Sequence, residues 1–169
     1  MIEYDKSLAQ LEINKTIIEN LMLNLTEEQA HWKPAEDRWS MLEILNHIID
    51  IEIEDFRYNF ELILFNPERE WPSFDEMKWI TSRKYNEREM SSSIEKFKEE
   101  RDNSINWLRE LSSPDLFSQH FGNKMHLGDL LSSWLGHDLF HIKHISLMRW
   151  DILKKWSDPF TPDYSGFYV

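Results

Sequence analysis

Apolar residues recur along the chain at intervals of three, four and seven, the period of a helix face, and no run of useful length alternates as a strand does. Leu8, Leu11, Ile17, Ile18, Leu21, Met22 and Leu25 form the first stripe, with Lys6, Glu12, Lys15 and Glu19 on the other face. Thr26-Glu-Glu-Gln29 then has the form of a capping box, which predicts a short extra turn before Pro34. Ser40-Met-Leu-Glu43 is a stronger one, a hydroxyl followed three residues later by a carboxylate. Beyond it Leu42, Ile44, Leu45, Ile48, Ile49, Phe56, Phe60 and Ile63 cover more than one side of a helix, which predicts an interior helix. A third helix is predicted from about Ser91–Ser93 to Leu111, with Ile94, Phe97, Ile105 and Leu108 inward. Its Glu95, Lys98, Glu99, Arg101 and Asp102 read as a solvated face. A fourth runs from about Gly128 to Trp156, carried by Leu130, Leu131, Trp134, Leu135, Ile142, Ile145, Leu147 and Met148.

Prolines agree with this division. Pro34, Pro67, Pro72, Pro114, Pro159 and Pro162 leave four long proline-free segments, 1–33, 35–66, 73–113 and 115–158, each with a helical period. Residues 66–90 form a long polar and aromatic connection with room for a short helix, and residues 158–169 form an irregular tail. The expected fold is all-α, a four-helix bundle with a long connection between the second and third helices, in a single domain over residues 1–169.

Composition narrows the chemistry. With no cysteine there is no disulfide scaffold, thiol nucleophile, iron–sulfur site or thiolate zinc site. Thirty-one acidic against 19 basic residues give a net charge of −12, and no basic run is longer than a pair such as Lys154-Lys155, so nucleic acid and anionic membrane are not expected partners. Neither a leader nor a membrane span is legible, and a cytoplasmic protein is expected. Eight Trp and ten Phe leave apolar surface enough for a homodimer.

The candidate chemistry lies among seven histidines. His137 and His141 stand i, i+4 on the fourth helix, so both rings project from one face, and His47 lies on the Ile44, Ile48 and Ile51 side of the second helix. Three imidazoles without a thiolate would leave a metal one open position, the pattern of catalytic zinc, and would also suit nickel, iron or manganese. The alternative is a core His47 hydrogen-bonded to a carboxylate or carbonyl beside a chance HxxxH pair, and spacing by itself does not choose between them. His144 shares their face but lies about 10.5 Å along the axis from His137, too far for all three to bind one ion. It reads as a packing neighbour or support of the ligands. Asp50 and Asp138 are the carboxylates placed to accept a ligand's free N–H, with surface charge as their ordinary alternative. His31, His120 and His126 read as loop or surface residues, His126 near the start of the fourth helix. Gly136 either admits a close neighbour near the pair or is neutral. The string His137-Asp-Leu-Phe-His141 is one methylene short of the zincin motif and lacks a good downstream ligand, which argues against a protease.

Three stretches together resemble the DinB-like (YfiT-like) superfamily of metal-binding four-helix bundles. They are His31-Trp-Lys-Pro-Ala-Glu-Asp-Arg-Trp-Ser40, Ile44-Leu-Asn-His47-Ile-Ile-Asp-Ile-Glu52, and Leu127 to Ile145 with its HxxxH pair. The resemblance implies metal ligation by His47, His137 and His141. It also implies an S-transferase that activates a low-molecular-weight thiol of the bacillithiol type for attack on an electrophile. A non-enzymatic, stress-related metal-binding bundle and a metal-dependent hydrolase are the alternatives. Asp37-Arg38 replaces the family's usual Gly-Lys, His126 stands where Thr commonly caps the last helix, and His144 replaces the usual Gln.

Overall fold

The computed structural model describes residues 2–166. Its main helices are α1 (Tyr4–Met22), a rod made of α3 (Met41–Ile51), a π-helical turn (Glu52–Arg57) and α4 (Tyr58–Phe65), then α6 (Met90–Glu110) and α7 (Leu127–Ser157). Short helices α2 (Glu27–His31) and α5 (Glu76–Ser82) lie in the connections. No β-strand occurs among the described residues, only one isolated bridge, Gln119 to His126. The fold is the expected four-helix bundle.

Local sequence accounts for the helix starts. Both capping boxes form: Thr26 Oγ1 accepts from Gln29 N at 3.2 Å, and Ser40 Oγ accepts from Glu43 N at 3.0 Å while the Glu43 carboxylate accepts from Ser40 N at 2.8 Å. Every residue of α3 is buried, as its all-round apolar pattern predicts. The π-helical turn was not legible in that pattern. A regular helix continuing the face of Ile44, Ile48 and Ile51 would next bury position 55, which is Asp. The extra residue of the wide turn moves the register on by one, so Phe56, Phe60 and Ile63 become the buried positions.

The apolar core falls into two clusters, one around Trp134, Phe56, Phe60 and Leu11, the other around Ile18, Ile44, Ile48, Phe97 and Ile145. Along each main helix a buried polar residue separates them: Asn14 on α1, Glu52 in the π-helical turn, Arg101 on α6 and Asp138 on α7. Arg101 is completely buried, not part of a solvated face. Its guanidinium donates to both Glu52 oxygens at 2.9–3.1 Å and to both Asp138 oxygens at 2.7 and 2.8 Å. Asn14 Nδ2 donates to Asp138 at 3.1 Å and Trp134 Nε1 to Glu52 at 3.2 Å. One side chain from each main helix thus meets in a single hydrogen-bonded layer, which fixes how the helices slide past one another. It sits one residue from His137 and one turn from His141.

Candidate metal centre

The wall of the second helix and one face of α7 bring three imidazoles to a point. His47 Nε2 lies 3.1 Å from His137 Nε2, which lies 3.2 Å from His141 Nε2. The three ring nitrogens lie within 4.8 Å of one another. His47 and His141 are almost fully buried and His137 partly so. Aromatic rings enclose the trio: Trp39 is 5.0 Å from His47 and stacks 6.2 Å from His141, while Phe56 meets His137 edge-on at 5.4 Å and Phe140 meets His141 at 5.0 Å.

Desolvation is the main cause holding all three rings neutral. It lowers the pKa of His47 to about 3, with help from His137, and that of His137 to about 4, with Arg101 lowering and Asp138 opposing. His141 falls to about 2, with His137, His47 and His144 adding to the effect. Neutral imidazoles present lone pairs at pH 7. A ring nitrogen either donates or accepts, so His137 Nε2 cannot make hydrogen bonds to both neighbours at once. Nδ1 of His47 and of His141 is also buried without a partner. A divalent ion resolves the conflict at the three Nε2 atoms, though not the unpartnered Nδ1 atoms: four-coordinate geometry with metal–nitrogen bonds of about 2.0–2.1 Å places ligand nitrogens roughly 3.3 Å apart, close to the observed 3.1 and 3.2 Å. The donor set fits the group.

The surroundings differ from the sequence reading in several places. Asp50 does not orient His47: its Oδ2 accepts from Arg83 Nη1 at 2.6 Å and Tyr85 Oη at 2.7 Å. It therefore anchors the connection that carries α5. Asp138, adjacent to His137, is fully buried and spent on Arg101 and Asn14, not on an imidazole. His144 lies beside His141, their rings stacked at 6.4 Å, with its Nδ1 buried and unpartnered. His120 is in a loop but buried, because Asn123 N donates to its Nδ1 and its Nε2 donates to Arg69 O at 2.6 Å. His31 ends α2 and His126 caps α7. A Cβ at Gly136 would meet nothing within 4 Å, so that glycine is not required by a close neighbour.

Residues that periodicity did not single out complete the site. A cavity of about 350 Å³ opens over the trio, walled by Trp39, Met77 and Phe140, with Arg38, Glu76 and His144 at its sides. Glu76 Oε2 is 3.9 Å from His47 Nε2. Burial raises the Glu76 pKa, and Asp55 and Asp75 add to the rise. Glu76 sits in the first turn of α5, whose start is marked by Asp75 accepting from Lys78 N at 3.2 Å. That aspartate was the available signal for a helix in the connection.

The profile of the DinB superfamily matches residues 10–145, a span that holds all three histidines. The chain belongs to the DinB superfamily. Among solved structures it is similar to YfiT from Bacillus subtilis, described as a probable metal-dependent hydrolase with an unusual four-helix bundle topology. The TM-score is 0.75 at 20% identity, over 88% of each chain, a likeness of fold. No curated protein matches the sequence. Among the described residues of this DinB-superfamily chain, no helix is long and apolar enough to cross a membrane.

Proposed function

We propose that this DinB-superfamily protein is a metal-dependent S-transferase. In this reading His47, His137 and His141 hold a divalent transition metal, zinc before nickel, iron or manganese, and a low-molecular-weight thiol of the bacillithiol type attacks an electrophile in the cavity above them. The observation that supports it is the convergence of three neutral Nε2 atoms beneath a cavity of about 350 Å³, a donor set with one coordination place left open. When bound, such a metal supplies Lewis acidity at that place and lowers the pKa of a thiol or a water.

The chain's own residues do the rest. The three buried rings stay unprotonated at neutral pH, so their lone pairs remain available. Glu76, with its oxygen 3.9 Å from His47 Nε2, stands where it can accept the S–H proton. Trp39 and Phe140 give the cavity apolar walls beside the reacting sulfur. A sulfur–carbon bond forms as the electrophile's leaving group departs with its electron pair. A cytoplasmic setting fits this reading, since thiols are kept reduced there.

Hydrolysis is the second reading. A carboxylate of raised pKa beside the trio is the arrangement that would take a proton from water, and it parallels the description of YfiT. The two separate in one experiment. Zinc-loaded protein is incubated with a panel of thiols, bacillithiol included, and monochlorobimane, while a second arm contains an ester or amide substrate and no thiol. The S-transferase reading expects fluorescent conjugate above the His137→Ala background. Turnover only in the thiol-free arm supports hydrolysis. No turnover in either arm contradicts both and supports a non-enzymatic, stress-related bundle.

A further inference from the structure

Several arginines of this acidic chain are paired with carboxylates: Arg57 with Glu100, Arg83 with Asp50 and Glu54, Arg101 with Glu52 and Asp138, Arg109 with Glu12. Arg149 donates to the Leu21 and Leu23 carbonyls, and the exposed Arg69, which has no ion pair among the described residues, lies outside the cavity. Arg38 differs. It lies on the wall of the cavity above the three histidines, and its guanidinium has no ion pair or hydrogen bond among the described residues, where the residue's one bond is backbone, Arg38 N to Ala35 O at 3.0 Å. Arg38 is exposed, so its guanidinium is open to whatever occupies the cavity. Asp37 lines the same cavity but forms no ion pair with Arg38, and Glu76 stands at the His47 end.

His144 faces the same space. It follows His141 by three residues, its ring stacks 6.4 Å from that of His141, and its Nδ1 is buried with no partner. Arg38 and His144 line the same cavity. A neutral imidazole carries one N–H, so His144 can serve as a donor without taking up a proton. The cavity therefore holds a nucleophile-activating end at His47, His137 and His141. Beside that end, with the His144 ring 6.4 Å from that of His141, the cavity also holds the imidazole of His144 and the unpaired guanidinium of Arg38.

We propose that Arg38 and His144 form a subsite for a carboxylate group of the thiol substrate, and so determine its specificity. This deepens the S-transferase reading and rests on it for the word thiol. A planar guanidinium binds a carboxylate through two parallel hydrogen bonds, and a ring N–H supplies a third. With both ends in one cavity, the site selects thiols that also carry a carboxylate and disfavours neutral thiols.

The test compares 4-mercaptobutanoate with its neutral amide, measuring the affinity of each for zinc-loaded full-length protein by calorimetry. Sulfur is common to both probes, so the difference reads the subsite. Wild type is expected to prefer the acid about tenfold, the effect of one charged hydrogen-bonded contact in a half-exposed place. Arg38→Met is expected to abolish the preference and His144→Phe to reduce it, with affinity for the amide unchanged in both; that constancy also shows the variants are folded. Succinate against succinamide, titrated into metal-free protein and followed by tryptophan fluorescence, repeats the comparison without zinc. Equal affinity for acid and amide in wild type, or a preference that survives both substitutions, overturns the proposal. Absence of conjugate with monochlorobimane overturns the S-transferase reading and leaves the charge preference to be judged separately.

Discussion

Arg101→Met removes the centre of the polar layer while keeping most of the side-chain volume. Arg101 makes five contacts of 2.7–3.1 Å to Glu52 and Asp138, and all three residues are essentially inaccessible to water. The variant leaves Glu52 with Trp134 Nε1 and Asp138 with Asn14 Nδ2 as remaining donors. Each is a single neutral hydrogen bond in place of a charged pair. Breaking a buried pair by removing one partner costs about 3–5 kcal/mol, because the other charge stays desolvated. Two carboxylates lose the same partner here, so about 5 kcal/mol is expected, a shift of roughly 10–20 °C in Tm for a chain of this size. The assay is urea unfolding followed by circular dichroism, at pH 7 and without metal. Replacing all three members by apolar residues (Arg101→Met, Glu52→Leu, Asp138→Leu) removes the stranded charges, and the triple variant is expected to regain most of the loss. A single variant within about 1 kcal/mol of wild type would refute the reasoning, since the layer would then contribute nothing beyond an apolar core of the same shape.

Ser40→Ala removes the hydroxyl that caps the helix bearing His47 and that donates to Asn86 Oδ1 at 2.6 Å. A loss of about 1 kcal/mol is expected by denaturant unfolding, whereas Ser40→Thr retains most of the stability. The pH dependence of the metal-free protein follows from the three buried rings, whose folded pKa values of about 3, 4 and 2 lie below the ordinary 6.5. Between those values and 6.5 the unfolded chain binds more protons, so stability is full above about pH 6.5 and falls as the pH drops toward 4. The slope approaches about 1.4 kcal/mol per pH unit for each histidine. Melting temperatures from pH 8 to 5 check this, and the slope should shrink by about a third in His47→Ala.

Much of the bundle was legible because its signals are local. Ser40 and Glu43 mark the start of the second helix by chemistry that needs only four residues, and the HxxxH pair shares a face by helical geometry alone. The approach of His47 to that pair is a tertiary fact. Its position on an apolar face said only that it points inward, and the family resemblance supplied the partner. Arg101 was misread because charge was given more weight than spacing: Phe97, Arg101 and Ile105 are four apart, so Arg101 lies on the buried stripe. Asn14, between Leu11 and Ile18, carried the same signal. Asp50 and Asp138 were placed near the right rings by sequence distance, but their hydrogen bonds go to Arg83, Tyr85 and Arg101, residues 33, 35 and 37 positions away. The π-helical turn leaves no motif, only a slip of one residue between Ile51 and Phe56 in the buried face. Glu76 comes from a connection with no periodicity to place it.

The central claim is that imidazoles from two helices share one ion, and equilibrium zinc binding by the purified protein tests it most directly. Titration of metal-free protein in competition with a chromophoric chelator should give one zinc per chain. Affinity should fall by at least a hundredfold in each of His47→Ala, His137→Ala and His141→Ala, while His120→Ala, a buried histidine outside the cluster, binds as wild type does. Binding that survives loss of His47, or a stoichiometry near zero in wild type, would contradict the account.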